Sequence, residues 1–141
     1  MDRPAERLPD PDPVIATLMH RDVVRVDLDA SVDELRALFA REGLSWAPVV
    51  DAEGAVIGVV SATDLNGPRI DAHACATLHA WQFCTYRPLA VRPETSARAV
   101  AREMADRGLH HVVVADERGM LGVVSSLDFT RAYADANGAG R

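Results

Sequence analysis

The stretches GVVSATD (residues 58–64) and GVVSSLD (residues 122–128) are two copies of one strand-to-helix junction, and they make the chain a tandem duplication. Gly58, Ser61 and Asp64 recur as Gly122, Ser125 and Asp128 at an offset of 64. Upstream, Ser31, Leu35, Gly43, Leu44 and Asp51 recur as Ser96, Val100, Gly108, Leu109 and Asp116 at an offset of 65, so one residue is lost in the turn after Asp116. A register held through a whole unit is the mark of an internal repeat.

Each repeat reads strand, helix, strand, strand, helix. In the first, DVVRVD (22–27) is a short β-branched stretch, and Ser31 with Glu34 three residues on forms a capping box for a helix striped by Val32, Leu35, Leu38 and Phe39. Gly43 ends that helix. WAPVV (46–50) and VIGVV (56–60) are valine-rich strands joined by the turn DAEG. The second repeat follows as LAV (89–91), a helix carrying Ala97, Val100, Ala101 and Met104, then HVVV, the turn DERG, LGVV and the helix DFTRAYADA. After Asp64 the pattern departs, because Asn66, Gly67 and Pro68 stop a helix almost at once. The expected division is a loose tail over 1–12, a first unit over 13–70, a linker helix over 71–84, a second unit over 85–136 and a tail over 137–141.

The 141 residues are 48% hydrophobic, enough for a core, and the opening MDRPAERLPDPDP has no apolar segment of a signal peptide. No apolar run reaches the roughly 18 residues of a membrane helix. A cytoplasmic protein without a membrane partner is expected. The net charge of -6 argues against a nucleic-acid partner. All 15 basic residues are arginine, which excludes Schiff-base and P-loop lysine chemistry. Cys75 and Cys84 read as reduced thiols rather than a disulfide framework.

The paired pattern G-x-x-x-x-P-V-V-D, a turn and G-V-V-S-x-x-D resembles the CBS domain pair, or Bateman module, over about residues 13–135. The resemblance implies an α/β (α+β) fold of two βαββα units, packed through their sheets with pseudo-twofold symmetry and two clefts between them. It further implies a regulatory ligand of adenosine type, AMP, ADP, ATP or S-adenosylmethionine, with no required cofactor. A homodimer and an unidentified protein effector, needed because a stand-alone pair has no effector domain of its own, complete that picture. The implied site residues are Ser61, Asp64, Ser125 and Asp128, with a base-side wall from Ser45, Trp46, Ala47 and Pro48 and from His110, His111, Val112 and Val113. Chemistry agrees, since a carboxylate accepts from both ribose hydroxyls and a serine at a helix start suits a phosphate. The residue before the first strand, usually Thr or Ser in the family, is His20 in one repeat and Thr85 in the other, and Thr85 fits. Arg131 could reach a phosphate, with Arg21, Arg25, Arg69 and Arg87 as rivals. Val113 stands where Pro48 has its proline. With one cleft filled, the one holding Ser125 and Asp128 is expected.

Each feature also has a plain structural reading. Serine and aspartate at these spacings cap a helix and favour its first turn. His110 and His111 are adjacent in a strand and face opposite ways, with no nucleophile beside them, so no catalytic residue is assigned and no enzyme is expected. His73, Cys75, His79 and Cys84 match no standard zinc spacing, and no metal site is assigned. Trp46 and Trp81 suit core or interface anchors. A ligand-free dimerisation or protein-interaction module is the alternative function.

Overall fold

The computed structural model describes residues 12–67, 70, 71, 75, 77–86 and 88–138. Its contacts group into two compact units, one continuous over 23–88 and one split, joining residues up to Asp22 with those from Leu89 onward.

The continuous unit contains β1 (Val26–Asp27), α1 (Val32–Glu42), β2 (Trp46–Val50), β3 (Val56–Ser61), α2 (Ala62–Leu65), α3 (Ala80–Phe83) and β4 (Thr85–Tyr86). Its sheet has the order β1-β2-β3-β4, with β1 parallel to β2 and the other pairs antiparallel. Helix α1 starts where the sequence requires. Ser31 Oγ accepts from Glu34 N at 3.2 Å, Glu34 Oε1 accepts from Ser31 N at 2.9 Å, and Gly43 closes the helix at φ 67°, a conformation that favours glycine. Asp51 Oδ1 accepts from Glu53 N and Ala55 N, both at 2.9 Å, and so shapes the hairpin turn. Val26, Val32, Leu35, Phe39, Ala47, Val49, Val60 and Leu65 form the core. Helix α2 lasts four residues. Of the helix expected over 71–84, residues 72–74 and 76 lie outside the described residues, and α3 is a separate short turn starting after His79.

The split unit opens with a 3-10 turn at Ile15–Thr17 and continues with β5 (Ala90–Val91), α4 (Ala97–Arg107), β6 (His111–Asp116), β7 (Gly119–Ser125) and α5 (Ser126–Gly138). Strands β5-β6-β7 form its sheet, and its core is Ile15, Ala97, Val100, Met104, Val112, Val114 and Val124.

The segment leading into each repeat completes the unit built from the other repeat. Thr85 and Tyr86 pair with Val59 and Gly58 at the edge of β3. Correspondingly, His20 bridges to Val123 at the edge of β7, with hydrogen bonds of 2.9 and 3.0 Å in the two directions. Two further bridges repeat the exchange, Ser31 with His79 and Val14 with Ser96.

This docking explains the glycine that opens each quoted stretch. A Cβ at Gly122 would lie 2.5 Å from the His20 carbonyl oxygen and 3.1 Å from Met19 Sδ. One at Gly58 would lie 2.6 Å from the Thr85 carbonyl oxygen and 2.7 Å from Cys84 Sγ. Backbone cannot give way as a flexible side chain can, so any side chain there pushes the lead-in off the sheet. Gly122→Ala is expected to destabilise the fold by about 2 kcal/mol, the scale of an overpacked core, measured by urea denaturation. A Gly119→Ala control touches no such neighbour, though its φ of 122° adds strain of its own.

Candidate functional site

The two serine–aspartate pairs sit at the starts of α2 and α5, and both begin as helix caps. Ser61 N donates to Asp64 Oδ2 at 2.9 Å and Asp64 N donates to Ser61 Oγ at 3.2 Å, a reciprocal capping box. Ser125 N donates to Asp128 Oδ2 at 2.7 Å, and Ser125 Oγ donates to the same oxygen at 3.1 Å. The carbonyls of Ser45 and His110 accept from Ala62 N and Ser126 N, each at 2.9 Å. Two of the residues expected to wall the base therefore also fix the helix starts through their backbone.

The pairs differ in what else reaches the carboxylate. Asp128 is 7% exposed, and its Oδ1 lies 2.5 Å from Nε2 of His20. A carboxylate oxygen only accepts, so Nε2 carries the hydrogen. Asp128 is thus a buried acid with hydrogen bonds on both oxygens, as a buried charge requires. Asp64 is half-buried, and Thr85, the counterpart of His20 at an offset of 65, makes no hydrogen bond to it among the described residues.

Each aspartate lines a groove between its helix and the docked lead-in. Around Asp128 the groove is about 620 Å³, walled by Pro13, Leu18, Ala97, Ala101, Phe129, Ala132 and Tyr133, with Thr17, His20, Arg98, Arg131 and Asp135 among its polar groups. Around Asp64 it is about 460 Å³, bounded by Thr63, Gly67, Ile70, Leu78, Gln82 and Phe83. The equivalent positions differ: Ala97, Ala101 and Leu18 line the larger groove, where the other repeat has Val32, Arg36 and Phe83, and of these three Phe83 lines the smaller groove. Arg36 is held at the end of α2, its Nε and Nη2 donating to the Leu65 carbonyl at 3.1 and 2.6 Å and its Nη1 to Cys75 Sγ at 2.9 Å.

The strand residues divide by face. Ala47 and Val112 are fully buried in the helix-side cores. Trp46, Pro48, His111 and Val113 alternate with them and face the other way. His111 stands directly opposite Ser125 and is half-buried, whereas His110 is exposed. Arg131 is exposed at the rim of the larger groove. Sequence reading singled out His20 as a departure from pattern without joining it to Asp128, and it missed Thr17, Leu18 and Arg98. The repeat offset pairs Thr17 and Leu18 with Gln82 and Phe83, which line the other groove, but it pairs Arg98 with Asp33, which does not.

The other candidate ligands are used in packing. His79 Nδ1 donates to the Asp29 carbonyl at 2.6 Å, Cys75 accepts from Arg36, and Cys84 is buried under the β3 edge, where burial raises its pKa above 9.0. His73 lies outside the described residues. Among the described residues no cluster of three metal-capable side chains occurs.

Burial pushes the His111 imidazole below its ordinary pKa of 6.5; His110 adds to this and Asp128 opposes it. The unfolded chain then binds the proton first as pH falls below 6.5, so His111 costs stability below that value and nothing above it. Urea titrations at about pH 7.5 and about pH 5.5 are expected to show a larger acid loss for the wild type than for His111→Gln.

With this geometry established, comparison places the chain among known proteins. The CBS domain family model matches residues 15–67 and 80–135. A stretch of 118 residues is 26% identical to homoserine O-acetyltransferase of Methanococcoides burtonii, covering 83% of this chain and 23% of that protein. An uncharacterised protein of Methanocaldococcus jannaschii is 22% identical, with 83% of this chain and 41% of that protein covered. The chain therefore spans less than half the length of these two relatives. Among solved structures, the CBS domain pair of protein MJ0100, in complex with 5'-methylthioadenosine and S-adenosyl-L-methionine, superposes with a TM-score of 0.75 at 18% identity, covering 93% of this chain and 100% of that one. The CBS domain of a bacterial CNNM/CorC family Mg2+ transporter superposes with a TM-score of 0.77 at 23% identity, covering 86% and 76%. The repeat, the fold of each unit and the family match over both repeats agree: this chain belongs to the CBS domain family, as a tandem pair.

Proposed function

We propose that this chain is a regulatory sensor that binds an adenosine-type ligand, AMP, ADP, ATP or S-adenosylmethionine, and performs no catalysis of its own. The observation that carries this reading is Asp128, a buried carboxylate lining a largely apolar groove of about 620 Å³. That volume suits a nucleotide-sized ligand. In this reading Asp128 accepts from the ribose hydroxyls, the apolar wall meets the base, and the start of α5 with Arg131 faces the anionic end. Ser61 and Asp64 form a second, tighter site with Thr85, and Trp46, Pro48, His111 and Val113 supply apolar and polar surface on the opposite sheet faces. That MJ0100 holds two adenosine-containing ligands supports the ligand class. The ligand acts by binding one conformation better than another, and a protein effector reads the result. The protein is cytoplasmic and homodimeric in this reading.

The alternative is a ligand-free dimerisation or interaction module. Exposed Trp81 (44%) and Tyr86 (52%), linked by a hydrogen bond from Tyr86 Oη to the Trp81 carbonyl, favour it as an aromatic surface.

Calorimetric titration with AMP, ADP, ATP and S-adenosylmethionine is expected to show saturable binding, weakened about tenfold or more by Asp128→Asn and less by Asp64→Asn. No heat from any of them, with the protein folded, would leave the module reading. Sedimentation of wild type against Trp81→Ala tests the dimer: a wild-type dimer loosened by the substitution is expected, and an unaffected monomer would remove this surface from consideration.

A further inference from the structure

We infer that His20 is an internal competitor for the ligand at Asp128, and that it sets the affinity of the larger groove. This rests on the adenosine reading above. The carboxylate of Asp128 has two oxygens. Oδ2 is taken by Ser125 N and Oγ at 2.7 and 3.1 Å, so Oδ1 is the atom left for a ligand hydroxyl. His20 Nε2 sits 2.5 Å from it. With Asp128 only 7% exposed, the space beside Oδ1 is the space the imidazole fills. A ribose diol engages Asp128 fully only after that contact opens.

His20 is built to open. Its main chain is fixed to Val123 by two hydrogen bonds, while its side chain is 58% exposed, so the imidazole can swing into solvent without lifting the lead-in from β7. The groove's walls need not move. The other repeat carries Thr85 at this position, too short to make the same contact, which leaves Asp64 without an internal rival among the described residues. The larger groove is thus roomier but self-occupied at its acid, and the smaller one is tighter with its acid available. Such a competitor lowers apparent affinity by the fraction of time it occupies the acid.

The test is calorimetric titration of AMP into wild type, His20→Thr and His20→Gln, repeated with 2',3'-dideoxy-AMP. His20→Thr is expected to bind AMP about tenfold tighter, the scale of one charge-assisted hydrogen bond no longer broken on binding. His20→Gln, whose amide can still donate to Asp128, is expected to stay near wild type, and the gain is expected to vanish with the dideoxy ligand. Equal or weaker AMP binding by His20→Thr overturns the competitor role while leaving the sensor reading intact, as does an equal gain in His20→Gln or with the dideoxy ligand. Absence of AMP binding in all three folded proteins, with the other adenosine ligands also silent, overturns the sensor reading itself. His20→Thr leaves Oδ1 of the buried Asp128 without its partner and is expected to lower the urea midpoint, whereas His20→Gln is expected to keep it; titrations are run where urea curves show each variant fully folded, which separates affinity from folding.

Discussion

Everything in each unit depends on a main chain being able to lie against a sheet edge where no side chain intervenes. At Gly122 and Gly58 the lead-in carbonyl comes within 2.5 and 2.6 Å of where a Cβ would stand. Two facing backbones at that distance satisfy each other's polar groups, as His20 and Val123 do through paired hydrogen bonds. The docked lead-in then covers the core, and Ile15 and Ala80 sit at 0% exposure in equivalent places. Without the glycine the edge of β7 would be open and the α5 side of the core uncovered.

The same docking creates the grooves, since each is bounded by the lead-in on one side and the serine–aspartate helix on the other. They differ at a few positions of a shared frame: Ala97 and Ala101 line the larger groove while the equivalent Val32 and Arg36 do not line the smaller one, and Leu18 is smaller than Phe83. Arg36 has a structural reason to be where it is: α2 ends after four residues, and the guanidinium satisfies the Leu65 carbonyl that a longer helix would have bonded. Helix α5 runs on for 13 residues and has no such need.

The caps and the site are not rival descriptions of the serine–aspartate pairs. Oδ2 of each aspartate is committed to the backbone at the helix start, which orients the carboxylate, and Oδ1 of Asp128 meets His20. In the proposed adenosine reading, a carboxylate so held costs little to reorganise on binding. The strand residues show the limit of the same economy: Ala47 and Val112 are spent on the cores, so only their alternating neighbours face away from the helices.

The repeat, the strand and helix order, the Ser31 capping box and Gly43 terminus, the early stop of α2 and the family were all legible in the sequence, because each rests on local spacing and on residues whose conformational preferences act within a few positions. The partnership of His20 with Asp128, 108 residues apart, was not, nor was the way Arg36 turns back to the Leu65 carbonyl while its equivalent Ala101 lines the larger groove. Those depend on which lead-in docks on which sheet. A self-alignment shows that two segments are equivalent, but two equivalent segments can complete their own repeat or each other's with identical local hydrogen bonds, and only the tertiary structure chooses the exchange that brings the histidine to the acid.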